Sequence, residues 1–420
     1  MRFAVGDNRY LLDAAWSPEG KSVAYIRGGR RVNDPATLET RNLEGGKPRV
    51  LLTDPNLSIG GDNVLRWLAD GRIVFGRTRY ASLTESDVWA ISFDPSRVGQ
   101  PVRLTNTTGM YVEWLSASAD GKRLAISFAR QSGTVVVANL NRSGDRLGMP
   151  YRLTNDSWDN LPAVWAPDSE MVFYNSSREK QGDSTSNIYK QRLSSDLAEL
   201  FFSGADKCSM EGLSGDGKWA IVMANRSVPG KWRLLRVPVS GGTPETVLVP
   251  RGLARVRCAI AGSRICVLSE DIDKKRVFSD VDPVRGRLQE LARVDVREEN
   301  RNPRWDLSPD GSKIALVENL ADTVRVLDLQ SKQVQVIHPV PPQLGLQYPA
   351  WSADGKRLFV SANPDEKGRL LEMDLEGHTH LLLENKRGAW IGHPLPSPDG
   401  KRLAYVYGFH EANVTLLEHF

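Results

Sequence analysis

Apolar residues in this chain fall in short runs, many of which alternate with polar residues, and Gly, Asp, Asn or Pro separates one run from the next. A period of two is typical of half-buried antiparallel strands. The longer period of an amphipathic helix is nearly absent. The pattern therefore predicts an all-β chain.

The runs belong to an internal repeat. Its clearest copies are WSPEGKSVAY from Trp16, WDLSPDGSKIAL from Trp305, WSADGKRLFV from Trp351 and PSPDGKRLAY from Pro396, and weaker copies fill the intervals. The turn positions of nine copies are Gly20, Gly71, Gly121, Ser169, Gly217, Gly262, Gly311, Gly355 and Gly400, about 44 to 51 residues apart. That spacing is the period of propeller blades.

Each repeat reads as a four-stranded meander, which exposes apolar residues on both faces and needs neighbouring sheets to cover them. We therefore predict a single closed β-propeller of nine four-stranded antiparallel blades, with eight as the alternative, in one domain over residues 1–420. The last copy stops after a third strand, ANVTLLEHF. The N-terminal RFAV, residues 2–5, is predicted to complete this last blade and close the ring.

An acidic residue precedes most of the turn glycines. These residues are Asp70, Asp120, Asp168, Asp216, Asp310, Asp354 and Asp399, with Glu19 in the first copy. Asp-Gly is favoured in tight hairpin turns, whereas a calcium or catalytic site needs several oxygens that converge. The acidic row is therefore interpreted as turn chemistry.

Two further sets of repeat positions are interpreted as packing. Trp16, Trp67, Trp165 and Trp351 stand four residues before the turn position, and Ala24, Ala125, Ala315 and Ala404 stand four residues after it. The tryptophans are predicted to pack between blades, the alternative being an exposed stacking platform for sugars or bases. The alanines are predicted where neighbouring sheets approach closely.

The three cysteines are Cys208, Cys258 and Cys266, too few for a disulfide framework and without the paired spacing of a zinc site. Free cysteines are commonly buried as small apolar residues. In the sixth copy, however, Cys258 and Cys266 stand opposite one another across the hairpin, so a cross-strand disulfide in an oxidising compartment is the alternative.

The six histidines, His338, His378, His380, His393, His410 and His419, all lie in the last fifth of the chain. None of their spacings is that of a helical metal motif, so they are interpreted as solvated side chains and no metal is predicted.

Charge and missing motifs narrow the function classes. The 55 Lys and Arg residues against 51 Asp and Glu give a net charge of +4, scattered without basic runs, which argues against nucleic acid as a partner. No apolar stretch is long enough to span a membrane, and the start lacks the apolar core of a secretory signal. No nucleophile elbow, zinc-protease or phosphate-loop motif is present, so no catalytic, cofactor or metal residue is assigned.

The repeat, with SDVWAI from Ser86 and SNIYKQ from Ser186 as its third strands, resembles the TolB-like propeller repeat. Such repeats also occur as C-terminal modules of bacterial Ser/Thr kinases and winged-helix regulators, in envelope proteins and in front of prolyl-oligopeptidase-type hydrolases. The resemblance implies an extracytoplasmic, periplasmic location.

The expected function is non-enzymatic recognition by a monomer, as a sensor or scaffold module that binds a protein or an envelope-derived ligand at one mouth of the ring. The alternative is a hydrolase or lyase with its site at the channel mouth. The loops REKQGDSTS after Ser177 and SEDIDKK after Leu268 are the places where unique residues could converge for such a site.

Overall fold

The computed structural model describes thirty-four β-strands and no α-helix. The described residues are 11–28, 35–57, 64–78, 85–94, 97–178, 187–203, 207–225, 232–252, 254–259, 265–295, 304–318, 321–364, 367–385 and 388–420. Their strands form eight antiparallel sheets, none of which closes on itself. The chain divides into two compact units. Unit 1 holds Met1–Gln131, Gln181–Ser184 and His410–Phe420, and unit 2 holds Ser132–Lys180 and Thr185–Phe409.

Unit 1 contains two complete sheets. The first is β1 (Leu11–Trp16), β2 (Ser22–Arg27), β3 (Ala36–Asn42) and β4 (Arg49–Asp54), in chain order. The second is β5 (Leu65–Trp67), β6 (Arg72–Thr78), β7 (Ser86–Asp94) and β8 (Arg97–Val98), with β9 (Val102–Arg103) also paired to β7. The apolar faces of these sheets are buried against each other, as the repeat pattern predicted.

The remaining part of unit 1 is formed by β10 and by parts of the two long strands β11 and β34. β10 (Tyr111–Ala117) pairs with the first part of β11 (Arg123–Asn139), which pairs in turn with the last part of β34 (Arg402–Glu418). Ion pairs of Arg123 with Glu418 and of Arg130 with Glu411 accompany this pairing. The residues of β11 after Gln131 and those of β34 before His410 belong to unit 2.

Unit 2 contains five four-stranded sheets, each in chain order. They are β13 (Asn160–Trp165), β14 (Met171–Ser176), β15 (Asn187–Arg192) and β16 (Glu199–Phe202); β17 (Lys207–Leu213), β18 (Trp219–Asn225), β19 (Trp232–Pro238) and β20 (Glu245–Leu248); β21 (Ala254–Cys258), β22 (Cys266–Ile272), β23 (Lys275–Asp282) and β24 (Gly286–Asp295); β25 (Arg304–Leu307), β26 (Lys313–Val317), β27 (Val324–Asp328) and β28 (Val334–Ile337); β29 (Leu346–Trp351), β30 (Arg357–Ala362), β31 (Arg369–Asp374) and β32 (Thr379–Glu384).

A sixth sheet of unit 2 joins distant parts of the chain. β33 (Ala389–Pro396) pairs with the first part of β34, which pairs with the last part of β11, and β12 (Tyr151–Arg152) pairs with β11 at the outer edge. We had predicted residues 2–5 as the outer strand of the last blade. Those residues lie outside the described part, and the outer strand observed in this sheet is β12.

The first strands of the six sheets in unit 2 contact one another in turn. β13 contacts β17, β17 contacts β21, β21 contacts β25, β25 contacts β29, β29 contacts β33, and β33 contacts β13. At the last of these contacts, Trp165 Nε1 donates a hydrogen bond of 2.8 Å to the Leu395 carbonyl oxygen. The succession of contacts within unit 2 thus returns to its starting strand.

The apolar core of unit 2 lies between neighbouring sheets. One buried cluster contains Val317 and Val326 of the β25–β28 sheet together with Leu358 and Leu371 of the next sheet. Burial between sheets is what a repeat with two apolar faces requires. The predicted count of nine blades is not confirmed, because strands of the third and last repeats share one of the eight sheets. The assignment of residues 1–420 to one domain stays a prediction.

The interpretation of the acidic row as turn chemistry is confirmed where the turns are described. In the turn at Gly355, which has a φ of 67°, Asp354 Oδ1 accepts hydrogen bonds from Ser352 Oγ and Lys356 N. Equivalent bonds occur at Asp120, Asp216, Asp310 and Asp399. The turn at Gly262 lies outside the described residues.

Two of the repeat tryptophans are buried, one is partly buried and one is exposed. Trp165 and Trp351 are 4% and 2% exposed, and Trp67 packs against the buried cluster of unit 1. The prediction is wrong for Trp16, which is 62% exposed. Among the described strands, β1 makes its main contacts with β2 and β5, and these leave the Trp16 side chain largely exposed. The alanines Ala24, Ala315 and Ala404 are fully buried, and Ala125 is half-buried.

Nothing in the described part of the chain is a helix of the length and hydropathy needed to cross a membrane.

Candidate functional site

Unit 2 contains a partly open cavity of about 170 Å³. All six first strands, β13, β17, β21, β25, β29 and β33, contribute residues to its wall. Polar and charged side chains line it, namely Glu211, Arg255, Arg257, Arg304, Asp306, Tyr348 and His393. A cavity with several convergent polar groups is the natural place for a binding site.

Strand alternation places four of these side chains in the cavity wall. In β21, Arg255 and Arg257 flank the buried Val256, and in β25, Arg304 and Asp306 flank the buried Trp305. Successive side chains of a strand point to opposite faces. The apolar residues therefore pack between sheets, while the charged residues line the cavity.

Irregular strand pairing positions the other three polar residues. The register shifts between Met210 and Gly212 in β17, between Leu346 and Pro349 in β29, and between Gly392 and Leu395 in β33. These shifts coincide with Glu211, Tyr348 and His393, respectively. A β-bulge turns a side chain away from the regular alternation and is frequent beside functional sites.

An ion-pair network connects three neighbouring first strands across one side of the cavity. Arg257 Nη1 lies 3.4 Å from Glu211 Oε2, and Arg257 Nε lies 3.8 Å from Asp306 Oδ1. Both carboxylates also accept hydrogen bonds from the backbone of the following sheet. Val256 N donates to Glu211 Oε2 at 3.2 Å, and Trp351 N donates to Asp306 Oδ2 at 2.9 Å. These two acids thus hold sheets together as well as pairing with Arg257.

An aromatic group lies on another side of the cavity. The rings of Tyr348 and His393 have centroids 3.9 Å apart, and the guanidinium carbon of Arg304 lies 4.5 Å from the Tyr348 ring centroid. Stacking of a guanidinium on an aromatic face is a favourable cation–π geometry. The three side chains offer a flat surface beside a positive charge.

Burial and charge change the pKa values of the cavity groups. Burial raises the pKa of Asp306, against the opposing effect of Arg257 and of the backbone hydrogen bonds that it accepts. Burial also lowers the pKa of His393 well below 6.5, and Arg304, Arg255 and Arg257 add to the effect. His393 is therefore neutral at pH 7. The pKa of Arg255 is lowered by burial and by its two arginine neighbours.

Cys258, at the end of β21, belongs to the cavity wall and forms a disulfide with Cys266. The two residues are directly paired across β21 and β22. The alternative of a cross-strand disulfide is therefore confirmed, and the interpretation as buried free thiols is wrong for this pair. Cys208 is buried, in agreement with its prediction as a small apolar side chain.

The histidine prediction holds for five residues and is wrong for one. His338, His378, His380, His410 and His419 are exposed, whereas His393 lines the cavity because of the bulge in β33. His378 Nδ1 lies 2.8 Å from Asp374 Oδ2, and this contact raises its pKa. No cluster of three or more metal-ligating side chains occurs among the described residues.

The described residues of the two segments proposed for unique residues do not contribute to the cavity wall. SEDIDKK is not a loop but the hairpin between β22 and β23, in which Ile272 pairs with Lys275. Of REKQGDSTS, residues 179–186 lie outside the described part.

Sequence reasoning missed the cavity residues altogether. A signal was present in the sixth copy, where ARVRC places arginines at alternate positions on a strand whose counterparts carry mainly apolar residues. Charged residues on the strand nearest the axis of a predicted ring indicate a lined channel. No comparable sequence pattern indicates the bulges that position Glu211, Tyr348 and His393.

Comparisons with known proteins identify the fold. No protein-family model matches the sequence, and the search of curated proteins found no similar one. Among solved structures, a putative TolB from Agrobacterium tumefaciens has 19% identity and a TM-score of 0.51, covering 66% of this chain and 99% of its own. A TolB from Acinetobacter baumannii has 17% identity and a TM-score of 0.49, with coverages of 77% and 82%.

Prolyl oligopeptidase B from Galerina marginata has 12% identity and a TM-score of 0.39, covering 82% of this chain and 54% of its own. The likeness to the first TolB supports a TolB-like β-propeller fold. The resemblance to kinase and regulator modules is not confirmed. At these identities, a shared fold carries no shared activity.

Proposed function

We propose that this TolB-like propeller is a non-enzymatic binding module and that unit 2, as a six-bladed ring, binds its ligand in the cavity along its axis. The observation that carries the proposal is the cavity itself, to which all six first strands contribute. Its polar residues are held in place by bulges and by contacts between sheets. Such preorganised groups favour recognition because little ordering is lost on binding.

The two carboxylates support binding rather than catalysis. Glu211 and Asp306 each accept a backbone N–H from the next sheet and each contact Arg257. A general acid or base needs a site that a substrate proton can reach. Groups already engaged in this way serve the framework of the cavity.

The binding proposal is tested by thermal-shift screening of envelope components and peptides against the wild type and two variants. Tyr348→Ala removes the aromatic surface of the cavity, and Tyr151→Ala removes an exposed tyrosine from the outer strand β12. We expect ligands that raise the Tm of the wild type to lose their effect on Tyr348→Ala and keep it on Tyr151→Ala. Equal responses of both variants would show that the ligand does not bind in the cavity.

A hydrolase or lyase is the second candidate, favoured by the burial of Asp306, which raises the pKa of this carboxyl group in the direction that suits a general acid. Chromogenic glycosides, esters and peptides would be offered to the wild type and to Asp306→Asn. Turnover by the wild type that is lost in Asp306→Asn would replace the binding proposal by an enzymatic one. No turnover by either supports the binding module.

We also propose an extracytoplasmic location, which the Cys258–Cys266 disulfide supports because disulfides persist in oxidising compartments. Alkylation of the denatured protein without prior reduction, followed by mass spectrometry, should label Cys208 and leave the other two cysteines unlabelled. Labelling of all three in protein taken directly from its native cells would oppose this location.

A further inference from the structure

Two guanidinium groups in the cavity wall have no hydrogen-bond acceptor among the residues that the structure describes. Within the described residues, the side chains of Arg255 and Arg304 make no hydrogen bond and no ion pair, and the contact of Arg304 is with the Tyr348 ring. Arg257, on the same strand as Arg255, is paired with Glu211 and Asp306. The cavity thus contains one satisfied arginine and two with free donor groups.

A guanidinium without a partner is costly in a buried site, because the surrounding protein replaces water without replacing its hydrogen bonds. Burial imposes this cost on Arg255; the charge of Glu211 offsets part of it, and the two arginine neighbours add repulsion. Proteins keep such unfavourable groups mainly where they serve a function. A ligand that binds in the cavity would therefore supply the missing hydrogen-bond acceptors.

The charged groups facing the cavity leave an excess of positive charge. Three guanidinium groups, on Arg255, Arg257 and Arg304, oppose the carboxyl groups of Glu211 and Asp306. His393 is neutral, and Tyr348 carries a hydroxyl group. With both carboxyl groups ionised, the excess is one positive charge, so a singly charged anion neutralises the site.

We propose that the cavity binds the carboxylate group of an organic ligand, with Arg255 and Arg304 donating to its oxygens and the Tyr348–His393 pair contacting its apolar part. This inference rests on the proposed binding function and specifies the chemistry of the ligand. The planar fork of arginine matches a carboxylate with two parallel hydrogen bonds. The adjacent ring surface suits a flat or aliphatic group attached to that carboxylate.

The experiment compares ligands of the same shape with and without the charge. Benzoate and benzamide differ at the carboxylate, and inorganic phosphate provides an anion without an apolar part. We expect calorimetry to give an affinity for benzoate at least about tenfold above that for benzamide, as one charge-assisted pair contributes, and weaker binding of phosphate. Equal affinities for benzoate and benzamide, or preference for phosphate, would overturn the proposal.

Arg255→Gln removes one donor group from the cavity, and Arg233→Gln makes the same charge change at an exposed position on β19. We expect Arg255→Gln to weaken benzoate binding about tenfold or more and Arg233→Gln to leave it unchanged. Without ligand, Arg255→Gln should have a Tm equal to or above that of the wild type. A lower Tm together with unchanged benzoate affinity would give Arg255 a structural role and overturn the proposal.

A second set of probes distinguishes the source of the carboxylate. A tripeptide ending in phenylalanine is tested with a free C-terminal carboxylate and with an amide. Binding of benzoate or of the free-acid peptide, each above its neutral counterpart, supports the proposal, and their relative affinities assign a small acid or a chain terminus. Binding confined to neutral ligands that require Tyr348 would refute carboxylate recognition while leaving the binding function in place, whereas no binding in the cavity would refute both.

Discussion

The carboxylate of Asp306 accepts a hydrogen bond of 2.9 Å from the backbone N–H of Trp351, which ties strand β25 to the first strand of the next sheet. Glu211 and Val256 form the same kind of bond two sheets earlier, and in unit 1 Leu65 N donates to Asp13 Oδ2 at 2.8 Å. An acidic residue on a first strand thus recurs as a link between sheets. The link satisfies a backbone donor that strand pairing leaves open.

Removal of the Asp306 carboxyl group should destabilise unit 2. Asp306→Ala leaves the Trp351 N–H without an acceptor and deprives Arg257 of a partner, so we expect a loss of about 2–3 kcal/mol. Asp306→Asn keeps an oxygen at this position, and about 1 kcal/mol is expected. Urea unfolding followed by circular dichroism measures both. Equal losses for the two variants would mean that the hydrogen bond contributes little.

The cavity should make stability sensitive to acid through His393. Its pKa in the folded protein lies well below 6.5, so the unfolded chain takes up a proton first as the pH falls. The stabilisation is therefore complete above pH 6.5 and is lost as the pH falls towards the lowered pKa. His393→Phe, which keeps a ring beside Tyr348, should flatten this loss in Tm measurements between neutral and acidic pH.

Asp306 provides a control of opposite sign for this pH dependence. Its folded pKa is raised above 3.8, so protonation stabilises the folded state as the pH falls through the raised value. Asp306→Asn removes this gain and should steepen the loss of Tm on acidification. If both variants changed the pH profile in the same direction, the assignment of these shifts to the cavity would be wrong.

Two buried tryptophans on neighbouring first strands should respond differently to the same substitution. Trp305 Nε1 donates to Ser269 Oγ at 3.0 Å, whereas Trp351 Nε1 is buried without an acceptor among the described residues. Phenylalanine at either position removes a similar apolar volume. Because Trp351→Phe also removes an unsatisfied donor, it should cost about 1 kcal/mol less than Trp305→Phe in urea unfolding. The reverse order would contradict the hydrogen-bond assignment.

Substitutions at Gly355 can distinguish the cost of the backbone conformation from the cost of side-chain packing. Its φ is 67°, and a Cβ there would meet Pro309 Cδ at 3.6 Å, an ordinary contact. The cost of Gly355→Ala therefore comes from the left-handed backbone and is expected to be about 1 kcal/mol. Gly355→Asn should cost less, since Asn tolerates this conformation. A larger loss for Asn than for Ala in thermal unfolding would point to a steric cause instead.

Local chemistry along the chain explains why much of the fold could be predicted. The period-two pattern and the Asp-Gly turns, such as Asp354 with Gly355, depend on neighbours in sequence and locate the strands and hairpins. The pairing of β11 with β34 depends on residues far apart, which no local signal reports, so the sequence did not predict that strands of the third and last repeats share a sheet. The same holds for the cavity, where bulges place Glu211 and His393.

The sheet that joins β33 and β34 to β11 and β12 affects how the chain can fold during synthesis. The acceptor of the Trp165 indole N–H is the carbonyl oxygen of Leu395, which is synthesised 230 residues later. Contacts of such sequence separation form slowly because the chain entropy of a long loop is lost first. The sheets from β13 to β32 can therefore form on the ribosome, while the step that completes unit 2 must follow the emergence of β34, leaving apolar edges open to chaperones or to aggregation until then.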